Sequence, residues 1–203
     1  MKRREFLKKA GLGSAAVASF PTLSQVMAAP AWAESGGTDF RFVSFTDGPT
    51  IGAVKHRIGM NGNGHFAGGG VEGSGTFTHF NELSAVPKTI IAAGTWKAQR
   101  FVSFTQPAVN TWGGFVSGIL VCEIRVVPDA SFGLDRFSAT LTVICNIGPG
   151  GISTGLPEGF TLDTPTIDFT TPVAVPTATP GVSVPLGLTV FTTANEKRGN
   201  VGP

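Results

Sequence analysis

The stretch GFVSGILVCEIRVV, residues 114–127, alternates apolar and polar side chains along its second half. One face is apolar throughout and consists of Leu120, Cys122, Ile124 and Val126. Glu123 and Arg125 fall on the opposite face. Because successive side chains of a strand point to opposite sides of a sheet, the pattern predicts a β-strand with one face on a core and the other in water.

A second stretch, RFSATLTVICNIG at 136–148, alternates in the same way. Its apolar face consists of Phe137, Ala139, Leu141, Val143, Cys145 and Ile147. The connection Pro-Asp-Ala-Ser-Phe-Gly at 128–133 is rich in turn-forming residues. The two stretches are therefore predicted to pair as an antiparallel hairpin.

The two cysteines of the chain fall on the apolar faces of this hairpin. A turn centred between Gly133 and Leu134 places Cys122 opposite Cys145. Two alternatives follow, namely a cross-strand disulfide, which an exported protein can form, or two buried free thiols. We do not expect a catalytic thiol, because no neighbouring residue in the sequence would lower its pKa.

Composition extends this prediction to the whole chain. Short stretches rich in Val, Ile, Thr and Phe are separated by Gly, Pro and Asn, which is typical of an all-β protein. We predict an antiparallel barrel or sandwich of about eight strands in a single domain over residues 34–170. Residues 171–203 are predicted to form a Pro/Thr-rich extended segment and a polar tail.

The hexapeptide RFVSFT occurs twice, as Arg41–Thr46 and Arg100–Thr105. In an extended chain its Arg, Val and second Phe share one face, and its first Phe, Ser and Thr share the other. We interpret it as a repeated strand. Its origin is either an internal duplication, with halves near 39–93 and 98–150, or a recurring strand composition.

The N-terminal residues MKRREFLKK resemble the twin-arginine export motif, with Arg3 and Arg4 followed by Glu-Phe-Leu-Lys. A modestly apolar run and Ala31-Trp32-Ala33 come next, as in a cleavable signal peptide. The resemblance implies that residues 1–33 engage the twin-arginine translocase. It also implies that the protein folds before export and resides in the periplasm or outside the cell.

Removal of the leader changes the charge of the chain. Its five Lys and Arg residues and one Glu carry four net positive charges, so the remaining 170 residues have a net charge of about −2. We therefore expect no nucleic-acid partner, which would need a basic patch. We expect no integral membrane segment either, since no later stretch is apolar for about 18 residues.

The centre of the chain, residues 58–80, is rich in glycine. Gly68, Gly70 and Gly73 have the spacing of a dinucleotide-binding loop, but a strand-like pattern follows where that loop needs a helix. The pairs Asn-Gly at 61–62 and 63–64 predict hairpin turns. Gly73 and Gly75 predict a bend or a close approach of two backbones.

Three histidines occur, and two of them share a face with apolar residues. If the sheet curls, His56 and His79 converge in its interior, with Glu72 or Glu82 as a carboxylate for proton transfer. His65 is the third histidine. Since no metal-ligand spacing accompanies them, we predict neither a metal nor another cofactor.

Two tryptophans offer large apolar surfaces with one polar N–H each. Trp96 and Trp112 are predicted either to line a ligand cavity or to fill the core. Short G-x-F elements and the Gly-Thr-Trp at 94–96 resemble the closed barrels of the allene oxide cyclase and dirigent type. They are too short to assign the chain to a family.

Abundant Phe and Trp, few charges and no complete catalytic constellation favour a non-catalytic exported domain that binds a small apolar ligand or a partner surface. The alternative is a barrel enzyme of the isomerase or cyclase type that uses interior His and Glu residues for proton transfer. A third hypothesis is association through exposed strand edges.

Overall fold

Antiparallel strands dominate the computed structural model, which describes residues 37–106, 114–147, 157–178 and 180–193. The predicted all-β, antiparallel fold is confirmed, and the described ranges contain a single 3-10 turn, Ala130–Phe132, and no α-helix. The strands are β1 (Thr38–Ile51), β2 (Val54–Ala67), β3 (Gly70–Asn81), β4 (Thr89–Thr105), β5 (Phe115–Val116), β6 (Gly118–Pro128), β7 (Phe137–Cys145), β8 (Gly159–Asp163), β9 (Thr171–Pro172), β10 (Ala174–Pro176), β11 (Ser183–Pro185) and β12 (Gly187–Thr193).

One long sheet has the strand order β5-β12-β1-β2-β3-β4-β6-β7-β8 and curls into a half-barrel. Strands β1 to β4 and β6 to β8 follow one another as meanders, whereas β12 returns from the end of the chain to pair with β1. β9 pairs with β1 as well, and β10 and β11 form a separate two-stranded sheet. The curled sheet encloses one continuous core of apolar side chains.

The curl of the sheet brings together the first and last strands of the meanders, β1 and β8, while β12 and β5 lie beyond β1. The rings of Phe42 and Phe160 are 5.7 Å apart between centroids. The buried hydroxyl of Thr46 donates a hydrogen bond of 2.6 Å to the carbonyl of Phe160. These two strands therefore share one core.

A stretch after β8, here called the bridging segment (residues 164–173), joins these two strands. Phe169 exchanges two backbone hydrogen bonds of 2.9 Å with Leu162 of β8. Its neighbour Thr170 donates a backbone hydrogen bond of 3.1 Å to Asp47 of β1. The bridging segment thus supplies a hydrogen-bonded connection between the first and last strands of the meanders.

The hairpin predicted from 114–127 and 136–148 is confirmed, since β6 and β7 pair antiparallel and the apolar face of each strand is largely buried. Its predicted register was wrong. Cys122 pairs with Leu141, which lies four residues before Cys145. Cys145 pairs with Gly118, which lies four residues before Cys122. Both thiols are free and buried, which is the second of the two alternatives.

The error came from the connection between the strands. Val126 pairs with Phe137, so the hairpin is centred between Ser131 and Phe132, two residues before the predicted centre. The 3-10 turn ends at Gly133, which has a positive φ of 63°, and the chain then continues as an exposed stretch before β7. Turn composition located the loop but not its midpoint.

The glycine-rich centre forms the long β2–β3 hairpin, and no helix follows the glycine motif. Its turn is at Gly68 and Gly69, which have positive φ values of 57° and 84°. The predicted turns at Asn61-Gly62 and Asn63-Gly64 were wrong, because both pairs lie inside β2 and are paired on either side. The glycines serve packing there instead of turning the chain.

Trp96 explains two of these glycines. A Cβ atom on Gly62 would overlap the indole ring, and one on Gly75 would overlap the carbonyl of Asn61. The indole N–H donates a 2.9 Å hydrogen bond to that same carbonyl. The close approach predicted at Gly73 and Gly75 is confirmed, with a Cβ on Gly73 placed 2.7 Å from the ring of Phe40.

The two copies of RFVSFT are both strands, but they face their surroundings differently. In β1 the alternation holds, and the first Phe, the Ser and the Thr are buried. In β4 irregularities between Ala98 and Arg100 and between Phe101 and Ser103 break the alternation. Phe101 and Phe104 consequently both pack on Phe66, at centroid distances of 5.9 and 4.7 Å.

The sheet continues past residue 170, where the sequence places the end of the domain. β12 pairs with seven residues of β1, and Thr189 and Phe191 are fully buried in it. Its sequence GLTVFTT resumes strand-like alternation after Pro185, the last proline before the strand. The sheet therefore extends past the predicted boundary at 170 to include β12, while Pro176 and Pro185 lie in the short strands β10 and β11.

The leader (1–33) and the polar tail after 193 lie outside the described residues. Within the described ranges, no helix combines the length and apolarity needed to cross a membrane.

Candidate functional site

An apolar cavity of about 220 Å³ lies between the strands of the curled sheet and the bridging segment. Three polar side chains line it, namely His79, Thr164 and Thr166, and its described walls contain no Lys, Arg, Asp or Glu. The remaining lining residues are apolar: Ile58, Met60, Phe77, Ile91, Ala92, Val126, Pro128, Leu134, Phe137, Leu162, Ile167 and Phe169.

His79 is the one ionisable group among these described walls. It lies on β3, opposite Ile58 of β2. Its Nε2 is 2.8 Å from Nδ1 of His56, a hydrogen-bond distance, and the ring centroids are 5.0 Å apart. The convergence of His56 and His79 predicted from the sequence is confirmed, whereas a catalytic role for them stays a prediction.

Burial sets the charge of His79. Desolvation, and then the neighbouring His56, lower the pKa of His79 from 6.5 to about 4. At neutral pH the ring is therefore uncharged, with one N–H and one lone pair. Its Nε2 is occupied by His56, which leaves Nδ1 without a hydrogen-bond partner among the described residues.

The bridging segment covers this end of the cavity. Phe169 meets the ring of His79 edge to face, with centroids 5.2 Å apart. Thr164 holds the turn before it, because its hydroxyl donates 2.6 Å to the carbonyl of Ile167 and accepts 3.0 Å from the amide of the same residue. The amide of Thr164 also donates 3.3 Å to the carboxylate of Asp168.

Neither predicted carboxylate joins the histidine pair. Glu72 is exposed and pairs with His65, seven residues from His79 along β3, or about 23 Å at a strand's rise per residue. Glu82 forms a 2.9 Å ion pair with Arg57. The prediction that Glu72 belongs to the site was wrong, because β3 is one uninterrupted strand that keeps its two ends apart.

A second polar pair, absent from the sequence predictions, is formed by His65 and Asp39. Nδ1 of His65 lies 2.9 Å from Oδ1 of Asp39, and both side chains are buried. They are direct cross-strand partners in β1 and β2. Only the register of that hairpin could have revealed them, and the register depends on the turn at Gly52 and Ala53.

Trp96 lies in the core and not in the cavity wall. It is 2% exposed and stacks on Phe42 at a centroid distance of 5.9 Å. Of the two predictions for this residue, the structure supports core packing. Trp112, the other predicted ligand-lining residue, lies outside the described residues.

The thiols are chemically quiet. Burial raises the pKa of Cys122 to about 12, and burial is also the main reason that the pKa of Cys145 rises to about 11. Within the part of the chain that the structure describes, no three His, Cys, Asp or Glu side chains gather as a metal site needs. The histidine-edged apolar cavity is therefore the best candidate for a functional site.

No family model, curated protein or solved structure matches this chain.

Proposed function

We propose that this protein is exported by the twin-arginine route and binds a small apolar molecule in the histidine-edged cavity. The cavity itself carries the proposal, because nearly all of its wall is apolar. An apolar cavity of ~150 Å³ binds benzene, and drug-sized pockets start at ~300 Å³. At about 220 Å³, this one suits a single substituted ring or a chain of equal bulk.

The twin-arginine-like leader supports export. Two free, buried thiols agree with a chain that folds in the reducing cytoplasm before it is translocated. We expect replacement of Arg3 and Arg4 by Lys to leave the protein unprocessed inside the cell, and the exported protein to begin at Glu34. Intact-mass measurement of cytoplasmic and exported fractions tests both expectations.

The enzyme hypothesis has weaker support. Its two histidines meet, but the described residues place no carboxylate beside them. A histidine with a pKa of about 4 is also a poor base at neutral pH, because a general base works best with a pKa near the working pH. Ligand binding needs only the apolar space and one polar group, both of which are present.

Met60 offers a direct test. It lines the cavity at 1% exposure, and it is the only methionine after residue 33. A mature protein labelled with ¹³C-methyl methionine therefore gives one methyl resonance from inside the cavity. We expect this resonance to shift on titration with para-cymene, an apolar single-ring molecule of suitable bulk.

A matched pair of variants controls for surface binding. Ala92→Phe fills the cavity from β4, whereas Val127→Phe adds the same ring at an exposed position of β6. We expect the first variant to lose the para-cymene response and the second to keep it. A wild-type resonance that para-cymene does not move would overturn the binding proposal.

A further inference from the structure

The polar groups of the cavity restrict what it can hold. The hydroxyl of Thr164 is already hydrogen-bonded to the backbone of Ile167, and Thr166 is exposed at the rim of the cavity. His79 therefore remains as the half-buried polar side chain available to a ligand. A polar atom buried without a partner costs about 1–3 kcal/mol, so a ligand that fits this wall carries few of them.

The histidine pair adapts to either sense of hydrogen bond. If Nδ1–H of His56 donates to Nε2 of His79, then Nδ1 of His79 carries the remaining proton and donates. If His79 donates through Nε2–H instead, its Nδ1 accepts. Nδ1 of His79 can therefore donate to a carbonyl oxygen in one neutral tautomer of this ring, and can donate to or accept from a hydroxyl group, depending on the tautomer.

The surrounding charges oppose an anion. No basic residue belongs to the described walls. Asp163 and Asp168 are exposed and flank the turn at 164–167 that covers the cavity. A side-chain hydrogen bond with Asp168 raises the pKa of Asp163. Arg57 lies between His56 and Ile58 in β2 and therefore points to the opposite face of the strand. There it forms ion pairs with Asp47 and Glu82.

Arg136 is the one basic residue next to a lining residue in the described β6–β7 connection. Its side chain is exposed and does not line the cavity. Leu134, two residues before it, and Phe137, directly after it, do line the cavity. A carboxylate inside the cavity would therefore be buried without a cation, at a cost that binding energy from a small apolar body does not offset.

We infer that the ligand of this cavity is an uncharged molecule whose apolar body carries one hydroxyl or carbonyl oxygen bound to His79, and that the site rejects carboxylates. This inference rests on the proposed function, since it names the chemical class for the same cavity.

A series on one skeleton tests it. Para-cymene, para-isopropylbenzyl alcohol, para-isopropylbenzaldehyde and para-isopropylbenzoate differ only at one carbon. Dissociation constants from the Met60 methyl resonance at pH 7 should show the alcohol and the aldehyde binding at least about 100-fold more tightly than the carboxylate. The apparent affinity of the carboxylate should rise about tenfold per pH unit between pH 7 and pH 5, because only its protonated form enters.

Variants at His79 separate the oxygen contact from the apolar contact. His79→Leu should weaken the alcohol about tenfold relative to para-cymene, since the hydroxyl then lacks a partner. His79→Gln keeps a donor and an acceptor and should restore most of the affinity for the alcohol. The pH series on the wild-type protein needs no variant and covers the case in which either substitution disturbs folding.

The outcomes separate the two proposals. Failure of para-cymene to bind would remove the proposed function and this inference with it. Binding of para-cymene together with equal affinity for the alcohol and the carboxylate at pH 7 would overturn the inference alone. So would an alcohol affinity that His79→Leu leaves unchanged relative to para-cymene.

Discussion

Trp96 shows how one side chain can dictate the composition of two neighbouring strands. Its indole lies across β2 and β3, and Gly62 and Gly75 are the positions where any larger residue would overlap it or the adjoining backbone. The ring donates its only polar hydrogen to Asn61, so nothing polar is left unpaired by its burial. Gly62 and Gly75 are thus a consequence of an aromatic ring on a third strand.

Substitution at Gly75 tests this explanation. We expect Gly75→Ala to lower the free energy of unfolding by about 2–3 kcal/mol, because the added methyl group must displace backbone or the indole. In Gly70→Ala on the same strand, the added methyl group lies 3.5 Å from its nearest neighbour, the Ala67 carbonyl oxygen, and should change stability by less than about 0.5 kcal/mol. Urea unfolding of both variants makes the measurement, and equal stabilities would contradict the explanation.

His79 should make stability depend on pH. Its pKa is about 4 in the folded protein and 6.5 when exposed, so the unfolded chain binds more protons between these values. Stability is then fully present above pH 6.5 and is lost as the pH falls toward 4. The loss is about 2–3 kcal/mol from the size of the shift.

His79→Gln isolates this contribution. The variant should give a flatter stability curve between pH 6.5 and 4, measured by urea unfolding at each pH. Asp47, whose pKa is lowered from 3.8 because hydrogen bonds to Arg57 and Lys55 outweigh burial, contributes equally to both stability curves and cancels in the comparison. An unchanged slope in His79→Gln would show that another group titrates.

Among the elements, the bridging segment is hydrogen-bonded to both β8 and β1. We expect Thr170→Pro, which removes the amide bonded to Asp47, to speed hydrogen exchange at the Leu162 amide at least about tenfold. Exchange at amides in the middle of β2 should not change. NMR-detected hydrogen exchange resolves the individual amides.

Thr177→Pro is the matched control for this prediction. It removes an equivalent backbone donor, the one bonded to Val182 in the two-stranded sheet of β10 and β11. Exchange at Leu162 should stay at the wild-type rate in this variant. An equal acceleration in both variants would mean that the bridging segment has no special role in holding β8 to β1.

The elements also show where sequence reasoning succeeds and where it ends. β6 and β7 were predictable because alternation is local, and burial alternates along all of β6 and along β7 as far as Val143. Their register was not, because it depends on the conformation of the connection at 129–136. The faces predicted for the second RFVSFT copy were wrong for a related reason. The irregularities in β4 arise in its pairing with β6 and leave no mark in the hexapeptide.

At the scale of the whole molecule, the candidate site was predictable only in part. His56 and His79 share the periodicity of their strands with apolar neighbours, and the register of the β2–β3 hairpin places them diagonally across adjacent strands. Glu72 was assigned wrongly because the sequence did not show β3 to be one long strand. The cavity itself depends on the bridging segment, whose position between β8 and β1 is a long-range contact that no local pattern encodes.

The two free thiols provide a measure of global unfolding. Cys122 and Cys145 are at most 1% exposed, and their raised pKa values suppress the reactive thiolate. We expect an aromatic disulfide reagent at pH 8 to label both at the rate of global unfolding, as followed by tryptophan fluorescence. A reductant should leave the melting temperature unchanged. Labelling faster than unfolding would reveal a local opening of the β6–β7 hairpin.

The pairing of β12 with β1 has a consequence for biosynthesis. Phe191 lies against Phe40, a partner made about 150 residues earlier. While the ribosome is still elongating the polypeptide, that edge of β1 has no partner strand and must be shielded from intermolecular association. Completion of the sheet is thus post-translational, because β12 must leave the ribosome before it can pair with β1.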